Sequence, residues 1–230
     1  MSKQPLDEVG SDDCQGRSLW GLGYVIAFAP THFGMAAKAC FVKTLPHISK
    51  FSMRGMAYSI LGLYYYRLKF PNDNQTEMLM KDLADKLVRS YEDVPDEKWD
   101  WFEESLTYAN GLLSSALWVA SYSLQEKKYR KIAEATTHFL MKKMMREGHL
   151  SLVGCNGWQS RQGGAGAQFD QQPIDALWMV ELGKFAYRQT NDDDYLKLMR
   201  TSFDWFLGEN DCSVPVYDHV TGGCCDGLTP

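Results

Sequence analysis

Three segments of this chain open a helix with the same local signature, and their spacing constrains the fold more than any other feature. Residues 17–24, 115–122 and 175–182 each carry a Leu-Trp pair (Leu19-Trp20, Leu117-Trp118, Leu177-Trp178), and residues 56–63 fit the pattern more loosely. Ala57, Ala116 and Ala176 stand 59 and 60 residues apart. A period that regular marks a repeat architecture. Each segment is apolar nearly all round, as a helix is when neighbours cover it on every side.

Behind these apolar segments come amphipathic ones. Residues 76–91 carry Met80, Leu83, Leu87 and Val88; residues 128–145 carry Ile132, Ala135, Phe139 and Leu140; residues 193–207 carry Leu196, Met199, Phe203 and Phe206. Spacings of three and four gather these on one face, with Lys, Arg, Asp and Glu opposite. Turns such as those at Pro71-Asn72-Asp73 and Asn191-Asp192 separate buried from half-exposed helices. Four such hairpins account for the chain, and strand-like alternation is scarce, residues 214–218 being the one tempting run. The expected fold class is all-α. Inner apolar helices ringed by amphipathic ones build either an open superhelical solenoid or a closed α/α toroid. Seven Trp, twelve Tyr and eleven Phe favour the toroid, whose central funnel aromatic side chains fill and line.

A length of 230 residues suits one large domain, residues 11–230, behind a polar, flexible stretch 1–10. The formal charge of −5 speaks against a nucleic-acid partner, because neutralising phosphates takes clustered Lys and Arg. Lys142, Lys143 and Arg146 close a helical run, where cations complement the helix dipole. The first residues lack the apolar stretch of a secretory signal. The longest apolar run, residues 19–30, is too short for a ~20-residue membrane span and ends in proline. Six scattered cysteines without a Cys-x-x-Cys pair read as reduced thiols in a cytoplasm.

Counting back seven residues from each Leu of the Leu-Trp pairs gives Asp12, Asn110 and Asp170; six back gives Asp13, Gly111 and Gln171. The second hairpin departs, with Phe51 and Ser52 in these places. Equal phase in a stacked repeat means equal height, so these polar groups are expected at the end where the inner helices begin. Helix N-termini also aim spare N–H groups and positive dipole there, which suits oxygen-rich ligands. Capping is the alternative reading, since Asp and Asn are preferred caps and Pro173 is a natural first-turn residue after Gln171 or Gln172. Two long loops add chemistry. One puts Trp99, Trp101, Glu103 and Glu104 ahead of an inner helix; the other puts Trp158, Gln159 and Arg161 ahead of the next. Sugars stack their C–H faces on such rings while Asp, Glu, Asn, Gln and Arg take the hydroxyls. At least one of Trp99 and Trp101 is expected to anchor its loop instead. The glycines of 163–166 lack the Gly-Lys-Ser/Thr ending of a phosphate-binding loop and read as a flexible lid.

Several ordered runs resemble those of one bacterial family. They are Asp13-x-x-Gly-Arg-x-Leu-Trp-x-Leu-Gly, the Trp-Phe-Glu-x-x-Leu-Thr-Tyr-x-Asn of 101–110, the Phe-Asp-Gln-Gln-Pro-Ile-Asp-Ala of 169–176, the Trp-Phe-Leu-Gly-x-Asn-Asp of 205–211 and the Gly-Gly-Cys-x-Asp-Gly-Leu of 222–228. The family is a glycosidase-like six-hairpin domain, found alone or fused behind glycosyltransferase modules. The resemblance covers residues 11–230 and implies an α/α toroid with a carbohydrate cleft at one end. It also implies that Arg17, Tyr108 and Asp226, which fall inside matched motifs, help to line that cleft. Four hairpins do not close a six-hairpin ring, so a fragment, a shortened relative or one part of a split protein is expected, with a second chain completing the ring.

Glycoside hydrolysis generally takes two carboxylates, one as acid and one as base or nucleophile. Glu103 and Asp170 are the expected pair, with Asp13 or Asp12 as the substitute for either. Asp12, Arg17, Trp101, Tyr108, Asn110, Trp158, Arg161, Gln171, Gln172 and Asp226 are the expected sugar contacts. The rival reading is a non-catalytic glycan-binding or regulatory domain associated with a glycosyltransferase. Sugar epimerisation would call for histidine proton carriers, and His32, His47, His138, His149 and His219 all lie off the phase positions. No His and Cys ligands cluster, so neither a metal nor a cofactor is expected.

Overall fold

The computed structural model describes residues 10–94, 98–164 and 166–230. Of the expected flexible stretch 1–10, all but Gly10 lies outside the described residues. The described chain is helical, α1 to α8, and falls into two compact units that divide between Asp85 and Lys86, inside α4.

The first unit holds α1 (Asp12–Phe28), α2 (Thr31–Thr44), a short 3-10 turn (Leu45–Lys50), α3 (Met53–Lys69) and the start of α4 (Asn74–Glu92). Its centre is the crossing of α1 on α3, set by four glycines. A Cβ on Gly16 would sit 2.7 Å from the Gly55 carbonyl oxygen, and one on Gly62 would sit 2.6 Å from that of Leu19. Backbones that touch this closely leave no room for alanine. Phe41 of α2 stacks on Tyr66 of α3 at 4.9 Å. The turn into α4 is tied by Asp73, whose carboxylate accepts from the Tyr66 hydroxyl at 3.0 Å and from the Thr76 amide at 3.2 Å. Burial, with that carboxylate beside it, pushes the Tyr66 hydroxyl up to about 12. Eleven of the seventeen residues of α3 are buried, as an inner helix requires. α1 departs from expectation. Only Gly16, Leu19, Gly23 and Ile26 are buried, one face at spacings of three and four, while Tyr24 and Phe28 stay more than half exposed. Its apolar circumference is covered on a single side.

The second unit packs α5 (Asn110–Leu124) and α7 (Pro173–Thr190) as inner helices, with α6 (Lys127–Met144) and α8 (Asp193–Leu207) outside them. Twelve of the fifteen residues of α5 are buried. Its polar members are satisfied across the hairpin, Ser114 Oγ donating to Thr136 at 2.8 Å and Trp118 Nε1 to Thr137 at 3.0 Å. Gly111 lets α5 meet the Trp178 backbone of α7, and Gly183 lets α7 meet α8. Asp192 caps α8 by accepting from the Asp194 amide at 3.0 Å. The expected outer helices thus form within two residues of the bounds read from spacing. Among the described residues, strand structure is confined to two short ribbons, β1 (Ser105–Leu106) with β4 (Gln159–Ser160) and β2 (Met145–Arg146) with β3 (His149–Leu150). Residues 214–218 form no strand, only an isolated bridge from Tyr217 to Cys224. All six cysteines are free.

Candidate functional site

The loops that lead into α5 and α7 carry most of the expected site residues, and the second unit joins them at one end. The first loop is hung from its aromatic rings. Trp99, Trp101 and Phe102 are buried, with the two indoles 5.1 and 6.0 Å from the Phe139 ring of α6. Trp99 Nε1 donates to the Glu103 carbonyl at 2.7 Å. Tyr91 donates to Asp100 at 3.0 Å, and burial together with that carboxylate pushes its hydroxyl up to about 12. Glu103 is left half-buried above this platform. Both tryptophans are anchors. Trp101, expected to stack on a sugar, has no exposed face to offer.

The second loop is pinched at its base. Gly154 donates to the Ala167 carbonyl at 2.7 Å and Cys155 to that of Asp170 at 2.9 Å. A Cβ on Gly154 would fall within the Phe169 backbone, so only glycine fits. The loop is fastened to the first by the β1–β4 ribbon, which pairs Ser105 with Ser160 and Leu106 with Gln159. Beside the ribbon, Arg161 donates from its backbone to the Glu104 carbonyl at 2.8 Å and from its guanidinium to the Glu104 carboxylate at 3.1 Å. Trp158, one residue before β4, is half-exposed, as are Tyr108 and Asp170.

Two expected contacts, Asn110 and Gln171, hold the scaffold. Asn110, buried, accepts from the Thr107 amide at 3.0 Å and donates to the Thr107 carbonyl at 2.7 Å, so its amide clasps its own loop. Gln171 is fully buried: its side chain donates to the Gln168 carbonyl at 2.9 Å and to Asp211, and accepts from Trp205 Nε1 at 3.0 Å. Its backbone bridges Leu228 in both directions. Gln172 is the residue ahead of Pro173 at the start of α7, as the capping alternative foresaw, though its side chain makes no capping bond. Asp226 is exposed.

Sequence reasoning missed the partner of Gln171. Asp211 sits after α8 with its carboxylate nearly buried, 3.1 Å from His149 Nε2 of β3. Burial raises the Asp211 carboxyl, but hydrogen bonds from His149, Gln171 and Ser151 outweigh it and hold the group below the usual carboxylate range. Five segments of the second unit meet here: β3, the entry to α7, α8, the turn after it, and the bridge at Leu228. Nothing local announces a contact between residues 62 positions apart; the one available clue is that a buried Trp205 needs an acceptor for its N–H.

The remaining expected residues belong to the first unit. Asp12 accepts from the Ser52 amide, a bond that outweighs partial burial and keeps its carboxyl below the ordinary value. Asp13 pairs with Arg17 at 2.8 Å, and Arg17 lies 5.3 Å over the Tyr58 ring. These contacts fasten the start of α1 to α3. Asp12 and Asn110 are the first residues of α1 and α5, as equal phase requires, whereas α7 begins three residues later and leaves Asp170 in the loop.

No protein-family model matches the chain, and no curated protein matches it in sequence. Solved structures do. An unsaturated glucuronyl hydrolase from Streptococcus agalactiae is 15% identical with a TM-score of 0.63, over 84% of this chain and 53% of that one. An unsaturated glucuronyl hydrolase specific for heparin is 11% identical, TM-score 0.64, over 90% and 58%. A D-mannose isomerase is 12% identical, TM-score 0.66, over 98% and 64%. The chain thus spans between 53% and 64% of the length of these proteins. The likeness shows the fold alone: an all-α chain of the α/α-toroid type.

Among the described residues no helix is long and apolar enough to cross a membrane, and no group of three or more His, Cys, Asp and Glu is placed to hold a metal ion.

Proposed function

We propose that this protein is a carbohydrate-active domain, glycoside hydrolase-like, which takes a glycan at the end of its second unit where α5 and α7 begin. The observation that carries this reading is the β1–β4 ribbon. It ties the loop that carries Glu103 to the loop that carries the half-exposed Trp158 and Arg161, a loop pairing that supports one shared site. The shared fold with two hydrolases and an isomerase of sugars supports it. Trp158 supplies the stacking face, Arg161 and Tyr108 the hydroxyl contacts, and Glu103 with Asp170 the acid and base. A carboxyl separation of ~5–5.5 Å goes with retention and ~6.5–9.5 Å with inversion. Six free thiols accord with a cytoplasmic setting.

The second reading is a non-catalytic glycan-binding or regulatory domain associated with a glycosyltransferase. It is favoured by the commitment of Trp101, Asn110 and Gln171 to the scaffold, which leaves fewer groups for chemistry. A glycan array on the protein, followed by turnover assays on the sugars retained, separates the two. Glu103→Gln is expected to lower turnover about 10²–10⁴-fold, the range of general acid–base catalysis, with affinity kept. Binding without turnover in either form establishes the second reading. A protein that retains no glycan, or one whose affinity is indifferent to Trp158→Ala, removes both.

A further inference from the structure

We propose that the cavity at the C-terminal ends of α5 and α7 is a binding site for a small oxyanion of the phosphate type. It lies at the opposite ends of these helices from the glycan site and does not depend on that reading. The cavity, about 410 Å³, opens where α5 ends, α6 starts and α7 ends. Its cations come from two elements: Lys127 and Arg130 from the first turn of α6, and Arg188 from the last turn of α7. Ser121 adds a hydroxyl, and Glu126 a single carboxylate against those three cations.

Two features point to an anion here. First, α6 opens with Lys127, Lys128, Arg130 and Lys131, has no acidic residue in its first turn, and has no side chain capping its N–H groups. Cations at the positive end of a helix dipole repel it, and Glu126 at the N-cap is the one carboxylate of the cavity lining set against them. In a chain of net charge −5 such a concentration runs against the whole. Second, among the described residues Lys127 and Arg188 have no carboxylate partner. Arg130, by contrast, pairs with Glu134 at 2.8 Å and lies over the Trp118 ring. Gln189 donates to the Trp118 carbonyl at 2.9 Å, which holds this turn of α7, and with it Arg188, against α5. An arginine fork and a lysine brought to one cavity by two different helices suit the oxygens of a phosphate group.

Free phosphate and a phosphate ester present the same chemistry. Calorimetric titration of the protein with inorganic phosphate, and separately with glucose 6-phosphate, at constant ionic strength and with glucose as the neutral control, distinguishes them. Saturable one-to-one binding is expected, weakened about tenfold or more by Arg188→Ala and by Lys127→Ala, as loss of a charge-assisted contact implies. Lys197→Ala, an exposed lysine of α8, is expected to leave it unchanged. Tighter binding of the ester assigns a phosphorylated sugar; equal binding assigns the free anion. No saturable binding of either probe, or an equal loss in Lys197→Ala, overturns the proposal.

Discussion

At the scale of single residues, the second unit is held by a polar knot that only tertiary structure reveals. Asp211 is kept ionised by His149, Gln171 and Ser151 in spite of burial. Its folded value lies below the unfolded one, so its contribution is fully present above the ordinary carboxylate range of about 4 and is lost as pH falls through the folded value. Asp211→Asn is therefore expected to destabilise the protein by about 1–3 kcal/mol at pH 7, the cost of losing charge-assisted hydrogen bonds to a buried group. The gap between variant and parent should shrink in urea melts taken below about pH 4. A gap that stays constant down to pH 2 would show that the carboxylate charge is irrelevant. The sequence made Gln171 conspicuous by phase, and residues 205–211 by motif, yet gave no sign that the two meet. Phase reports height along a repeat and says nothing of which way a side chain turns. That is why Asn110 and Gln171 were found at the expected end but facing the scaffold.

At the scale of elements, the helices were legible because their signal is local. Apolar residues at spacings of three and four define the faces of α4 and α6, whereas α8 buries Tyr195, Leu198, Ser202 and Trp205 in place of the expected Leu196, Met199, Phe203 and Phe206, leaving Phe203 54% exposed. The Pro173 start and Asp192 cap of α7 and α8 follow from residue chemistry. The β1–β4 ribbon was not legible. It is two residues long, and its partners stand 55 positions apart, Ser105 against Ser160, with no alternating pattern to mark them. Helix crossing was likewise hidden, since a glycine in a helix reads the same whether it meets a backbone or solvent. The structure separates the cases. Gly62→Ala should cost about 1–3 kcal/mol, because overpacking at the Leu19 backbone outweighs alanine's better helix propensity. Gly21→Ala, in α1 with nothing within 4 Å, should stabilise by about 0.5–1 kcal/mol. Chemical denaturation of both variants checks the pair, and the crossing as described fails if the two changes have the same sign. Gly154→Ala belongs with Gly62→Ala: the Phe169 backbone leaves it no space, and loss of the pinched loop should also weaken glycan binding.

At the scale of the whole molecule, the fold class was readable and the assignment of chemistry was not. The period of 59 and 60 residues and the alternation of apolar with amphipathic helices lead to an α/α-toroid chain, which the solved structures share. Fold alone does not carry activity, and here even the enzymes of similar fold include both hydrolases and an isomerase. Charge, unlike activity, acts at this scale directly. The net −5 opposes any extended polyanion, because a duplex must approach over tens of ångströms, beyond the ~8–10 Å screening length within which one local patch dominates. The rim of Lys127, Arg130 and Arg188 is small enough to hold one oxyanion without meeting that field at length. The same protein is thus expected to bind inorganic phosphate saturably and yet leave the fluorescence anisotropy of a short DNA duplex unchanged up to about 10 µM protein at ~150 mM salt, inside the range where non-specific binders already associate. Duplex binding with a steep salt dependence would mean that the basic rim extends into a continuous face, and that the overall negative charge does not set the choice of partner.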